Sequence, residues 1–210
     1  MFRCFLMALL VLIIQAPLGA VDSFRHADPG LPPTRVYRMQ DGLPQDTILH
    51  LGRDPKGRIW VGTQDGAASY DGAQWRTYNM PEATRSNIVE CVLHARDGSL
   101  WFGRRDGGIA QLKGDVWRIH GPAEGVPKGR VNSLIETEDA QGKSQIWGGV
   151  LGGGLVCWDG QGWRVVDQAA GLPGNRVWRL YLAEGRKDAF WICLEGALAR
   201  WEGGKISVVP

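Results

Sequence analysis

Ile59-Trp60-Val61-Gly62 recurs as Leu100-Trp101-Phe102-Gly103, as Ile146-Trp147-Gly148-Gly149 and as Phe190-Trp191-Ile192-Cys193. The tryptophans lie 41, 46 and 44 residues apart, and self-similarity at such a period means that one small unit is copied and stacked. A second aromatic marks the units at a similar offset: Trp75-Arg76, Trp117-Arg118 and Trp163-Arg164, with Ile206 in the fourth place. Gly42-Leu43-Pro44, Gly125-Val126-Pro127 and Gly171-Leu172-Pro173 precede three of the units, and Ala83-Thr84 breaks the pattern before the second.

Each unit reads as four short strands. In the first, Thr47 to Leu51 is followed by the turn Asp54-Pro55-Lys56-Gly57, then by Arg58 to Gly62, Ala67 to Tyr70, the turn Asp71-Gly72, and Gln74 to Tyr78. Asp-Gly between alternating apolar residues signals a tight hairpin, because glycine accepts the positive φ that the turn demands. Asp97-Gly98 and Asp159-Gly160 repeat it. Units of 40 to 50 residues built from four strands are propeller blades. The chain is therefore expected to be all-β, a β-propeller segment over 35–210 with four blades at about 41–79, 80–121, 122–167 and 168–210. Trp60, Trp101, Trp147 and Trp191, with Trp75, Trp117 and Trp163, are expected to fill the spaces between blades. Val36-Tyr37-Arg38-Met39 matches Trp75-Arg76-Thr77-Tyr78 and predicts a lone outer strand over 35–40. Such a strand completes the last blade of a closed ring, yet Lys205 to Val209 already supplies that strand here. The expectation is an incomplete ring, whose open edges favour self-association.

Ahead of the repeats, Arg3, the apolar run Phe5 to Ile14 and Leu18-Gly19-Ala20 form the pattern of a signal peptide over 1–20, cleaved before Val21. The apolar run is too short to span a bilayer, which takes about 20 residues. Residues 21–34 are a lead-in, and the mature segment is expected to be exported and not to cross a membrane. Lys and Arg number 24 against 22 Asp and Glu, with no block of like charge, so nothing points to nucleic acid. Cys91, Cys157 and Cys193 remain after cleavage, an odd set inside apolar runs, and read as small buried hydrophobes rather than a disulfide framework.

The order Asp41-Gly42-Leu43-Pro44, Ile59-Trp60-Val61-Gly62-Thr63, Gly66 and Tyr70-Asp71-Gly72 resembles the two-component regulator propeller repeat, nearly position by position from Asp41 to Tyr78. The likeness weakens later: Arg104, Val150 and Leu194 replace the Thr, and Cys193 replaces the Gly. In that family such repeats form extracytoplasmic sensor regions, often two seven-bladed rings. A small β-sandwich, a transmembrane helix and a histidine-kinase or diguanylate-cyclase output follow. The resemblance implies a sensing role here, with any output chemistry in a longer parent.

The residues themselves supply no catalytic constellation. The run Gly148 to Gly154 lacks the following helix that a phosphate loop needs and leads instead into Leu155-Val156-Cys157-Trp158. His26, His50, His94 and His120 show no metal-ligand spacing, and no cofactor is expected. Asp54, Asp97, Asp139 and Asp159 recur at turns, where Asp caps its own backbone. What remains is the face formed by the loops between blades and between second and third strands. Aligning units places Gln45, Asp46 and Thr47 with Arg85, Ser86 and Asn87, with Lys128 and Arg130, and with Asn175 and Arg176. The other loops contribute Gln64 and Asp65, then Arg104, Arg105 and Asp106, then Val150 and Leu151, then Glu195. Their chemistry varies from unit to unit, as a ligand contact requires and as a solvated loop equally allows. The excess of Arg and Lys favours a polar or anionic small ligand such as an acidic sugar. The expectation is a ligand-sensing receptor segment. The rivals are a free-standing periplasmic binding or scaffold propeller and a propeller lyase or dehydrogenase.

Overall fold

The computed structural model describes residues 34–81, 87–106 and 108–209. The signal segment 1–20, all but the last residue of the lead-in, and Arg85 lie outside the described residues. Among the described residues, sixteen strands form four antiparallel sheets of four, each in simple sequence order. Blade one comprises β1 (Ile48–Arg53), β2 (Ile59–Thr63), β3 (Gly66–Tyr70) and β4 (Trp75–Tyr78). Blade two comprises β5 (Val89–His94), β6 (Leu100–Arg104), β7 (Ile109–Lys113) and β8 (Val116–His120). Blade three comprises β9 (Arg130–Glu138), β10 (Ser144–Leu151), β11 (Gly154–Trp158) and β12 (Trp163–Val166). Blade four comprises β13 (Val177–Leu182), β14 (Ala189–Leu194), β15 (Ala197–Glu202) and β16 (Lys205–Val208).

The turns follow from their aspartates. Asp54 Oδ1 accepts the amides of Lys56 and Arg58 at 2.9 and 3.0 Å, and Asp139 does the same for Gln141 and Lys143. Asp71 and Asp159 hold the hairpins between third and fourth strands in the same way. Asp54 goes further: its buried carboxylate also takes the Trp60 indole N–H at 3.1 Å and the Arg58 guanidinium at 2.6 Å. Burial alone would raise its pKa, but these donors outweigh burial and bring it down to about 2.

The blades pack in sequence as an open arc. β1 touches β5, β5 touches β9 and β9 touches β13, while among the described residues β13 and β1 make no comparable contact. Trp60 and Tyr78 of blade one bury against Phe102 and Ala110 of blade two. Trp147, Leu155 and Val166 of blade three bury against Phe190, Ile192 and Trp201 of blade four. The glycine after the strand-two tryptophan has a steric cause. A Cβ on Gly62 would lie 2.6 Å from the Val89 carbonyl oxygen, and one on Gly103 would lie 2.7 Å from that of Val131. A Cβ on Gly149 would lie 2.7 Å from Val177 Cγ1. Each contact belongs to the first strand of the following blade, so glycine is what lets neighbouring sheets close up.

The 3-10 turns Met39–Asp41, Pro122–Glu124 and Gln168–Ala170 lead into blades one, three and four. They end on Gly42, Gly125 and Gly171 at φ 107°, 97° and 96°, a left-handed conformation that favours glycine. Each then drops Leu43, Val126 or Leu172 into the core.

Two expectations are corrected. Residues 34–38 form no strand and Met39–Asp41 is the 3-10 turn, so the lone strand over 35–40 is absent. Among the described residues, 35–40 has no third strand beside it to complete a ladder. Tyr37 instead packs its ring tilted against Tyr70 at 5.1 Å and edge-on to Trp75 at 5.5 Å. Trp60, Trp101 and Trp147 are buried, and Trp75, Trp117 and Trp163 are half-buried against the core clusters. Trp191 is not in the core: it is half-buried under Arg200, because among the described residues its side of blade four has no sheet against it. Cys91 and Cys157 are free and buried, while Cys193 is half-buried. Burial pushes the first two thiols up to about 12 and about 11.

Candidate functional site

Hydrogen bonds knit together the loops between blades and between second and third strands. The Asn87 carbonyl accepts the Gly66 amide at 2.8 Å, and the Asn175 carbonyl accepts those of Gly152 and Gly154. Asn87 Nδ2 donates to Asp65 Oδ1 at 2.8 Å, joining blade one to the approach of blade two. Strand register corrects the unit alignment by one residue. Ile48, Val89, Val131 and Val177 pair equivalently with Thr63, Arg104, Val150 and Leu194. Asn87 therefore corresponds to Asp46, Gly129 and Asn175, not to Thr47.

That correspondence shows which residues serve the fold. Asp46 Oδ1 accepts the Met39 amide at 2.7 Å, and Asn175 Oδ1 accepts that of Gln168 at 2.8 Å, each holding the 3-10 turn beside it. Gln45 is half-buried and its side chain accepts the Thr47 amide. Gln64 and Lys128 are exposed. Arg104 does not stand on the open face. It takes the buried position of Thr63, is only 4% exposed, and burial lowers its pKa while Asp106 opposes the shift.

The structure does bring one charged cluster together. Glu90 Oε1 lies 2.6 Å from Arg105 Nε and 3.4 Å from Arg130 Nε, linking blades two and three. On blade four, Arg176 pairs with Glu195 at 2.8 Å and lies 6.0 Å from the Trp178 ring. The positive excess expected on this face is thus partly compensated. Glu90 was not singled out in the sequence, although a signal exists. The first strand of every blade carries a β-bulge at the same point, at Leu49, Glu90, Asn132 and Trp178. A bulge re-aims its side chain, and Glu90 is the only acidic one of the four. Arg179 Nη1 reaches the carbonyl of bulged Asn132 at 3.1 Å. Among the described residues, no group of three His, Cys, Asp or Glu is placed to hold a metal ion. No helix among them is long and apolar enough to cross a membrane.

Comparison with known proteins bears on this arrangement. Residues 42–65 match the two component regulator propeller family. The chain is 40% identical over 47 residues to histidine kinase P4 of Formosa agariphila, a stretch covering 22% of this chain and 3% of the kinase. The fold resembles the extracellular domain of a hybrid two component system, BT3049, from B. thetaiotaomicron, with a TM-score of 0.66 and 18% identity. That match covers 81% of this chain and 24% of the other. A streptogramin B lyase shares the fold with a TM-score of 0.62 and 19% identity, over 80% of this chain and 56% of the lyase. The chain thus spans about a quarter of the receptor domain that it resembles in fold. Among the described residues the chain is an open propeller segment of four blades, and its residues 42–65 match the two component regulator propeller family.

Proposed function

We propose that this chain is the extracytoplasmic, ligand-sensing part of a two-component-type signalling receptor, exported by its residues 1–20 and without catalysis of its own. The supporting observation is the repeat at residues 42–65, set in a fold shared with the extracellular domain of a hybrid two component system. The ligand is a small polar or anionic molecule met by the loop face, around the Glu90, Arg105 and Arg130 cluster and the exposed Gln64 and Lys128. Binding shifts blade packing only to the extent that the ligand prefers one of two arrangements. Cell fractionation with an antibody to residues 21–210 tests the receptor assignment. A membrane-bound product several times the chain's 23.1 kDa is expected, and a soluble product of the chain's own size would overturn it. The loop-face site is tested by Arg105→Ala with Arg130→Ala in the receptor, where unchanged ligand affinity would sink it.

A further inference from the structure

The turns between first and second strands and between third and fourth emerge opposite the loop face. There the seam between blades two and three opens into a cleft of about 640 Å³, within the size range of small-molecule sites. Its origin lies in two repeat positions. Arg76, Arg118 and Arg164 occupy equivalent places, opposite Ser69, Gln111 and Cys157 on the neighbouring strand. Arg164 lays its guanidinium 4.5 Å from the Trp147 ring and 5.5 Å from that of Trp201, filling the seam between blades three and four. Arg76 lies 5.2 Å over Tyr78 in the seam between blades one and two. Arg118 lines open space instead. The second position is Asp54, whose carboxylate takes the Trp60 indole N–H within blade one. Blade two has Ala95 there, and Trp101 Nε1 donates to Ser99 Oγ at 2.9 Å.

The cleft therefore has an aromatic wall and a charged rim. Trp101 and half-buried Trp158 stand 6.4 Å apart between ring centroids, with His120 stacked on Trp101 at 5.5 Å. Lys113 is tied to Asp97 at 2.8 Å, and Asp159 is held by the Gln161 and Gly162 amides of its turn. Arg118 and Lys143 are exposed and form no ion pair among the described residues. We propose that this cleft binds an organic anion with an apolar ring face, the ring against Trp158 and the carboxylate met by Arg118 and Lys143. An aromatic carboxylate and an acidic sugar share that chemistry. An indole offers a large apolar surface to either ring, and charge-assisted hydrogen bonds select the anion. The cleft is separate from the loop face and stands whether or not that face binds a ligand.

Calorimetric titration of the whole chain with phenylacetate and with glucuronate tests it, using phenylacetamide and glucose as uncharged counterparts. At least one anion binds at one site in the millimolar range or tighter, and its uncharged counterpart binds at least about tenfold more weakly. The anion that binds identifies the source. Arg118→Gln with Lys143→Gln, both exposed and outside the core, weakens binding at least about tenfold. Arg105→Gln with Arg130→Gln leaves it unchanged. Absence of binding by both anions, or equal binding by the Arg118 and Lys143 variant, overturns the proposal. Binding lost only in the Arg105 and Arg130 variant overturns it too, and leaves the loop-face reading standing.

Discussion

The outward sides of blade one and blade four are equivalent ends of one stack, yet they are finished differently. On blade one, Val61 and Ala68 are buried beneath Leu43, with Tyr37 and Trp75 packed alongside. The approach segment thus covers its own blade. On blade four, Tyr181, Leu198 and Val209 are 57%, 39% and 41% exposed and Trp191 is half-buried. Tyr181 corresponds to buried Ile135, and Leu198 to buried Leu155. The difference teaches that the repeat makes every blade apolar on both sides, while burial depends on what stands next to it. Cys193 adds a second contrast, occupying the position where Gly62, Gly103 and Gly149 admit the following strand.

If the bare side of blade four is the sticky end, the whole chain self-associates at micromolar concentration, equivalent to about 8 kcal/mol. Tyr181→Lys combined with Leu198→Lys yields a monomer by light scattering. A monodisperse wild-type monomer would break the comparison. Next in size is the tryptophan pair. Trp147→Ala costs about 3–5 kcal/mol, because the ring is wholly buried between blades three and four. Trp191→Ala costs about 1 kcal/mol. Equal shifts of the two urea midpoints would show that blade four is covered after all. Smaller again is the glycine contrast. Gly103→Ala costs about 1–3 kcal/mol by overpacking, since the new Cβ would run into Cys91 Sγ and lie 2.7 Å from the Val131 carbonyl oxygen. Cys193→Gly, measured in the same urea series, stays within about 1 kcal/mol of wild type.

The last effect vanishes at neutral pH. Burial, helped by the charge of Arg179, lowers His50 to about 4, and burial with the charge of Arg118 lowers His120 to about 4. Both stay neutral when folded but take up a proton near pH 6.5 when unfolded. Stability is therefore full above pH 6.5 and falls as the pH drops from 6.5 towards about 4. Thermal melts across that window show the slope, and His120→Gln reduces it. An unchanged slope would remove His120 from the account.

Much of the fold was legible because its causes are local. The turn aspartates, the Asp-Gly hairpins and the apolar alternation located each strand of blade one within one or two residues. The site was less legible. Arg104 looked like a loop cation, but its place in the ladder buries it where blade one has Thr63. Arg85 lies outside the described residues. Glu90 was hidden because a bulge shifts the alternation by one residue, so only the pairing register reveals where its carboxylate meets Arg105 and Arg130. The cleft was hidden for a similar reason. Arg76, Arg118 and Arg164 are one repeated residue in sequence and differ only in what surrounds them.

By itself the sequence determined the unit: four short strands, their turns, an apolar side for each neighbour and a glycine where the next sheet comes close. These depend on interactions a few residues apart and on one repeated pattern. Tertiary structure alone decided which copies of that unit are covered. It paired the loop cations with Glu90 and Glu195, and it opened one seam beside Arg118 while Arg164 filled another. Those outcomes depend on residues distant in sequence meeting across strands and blades, where packing, not local preference, sets the free energy.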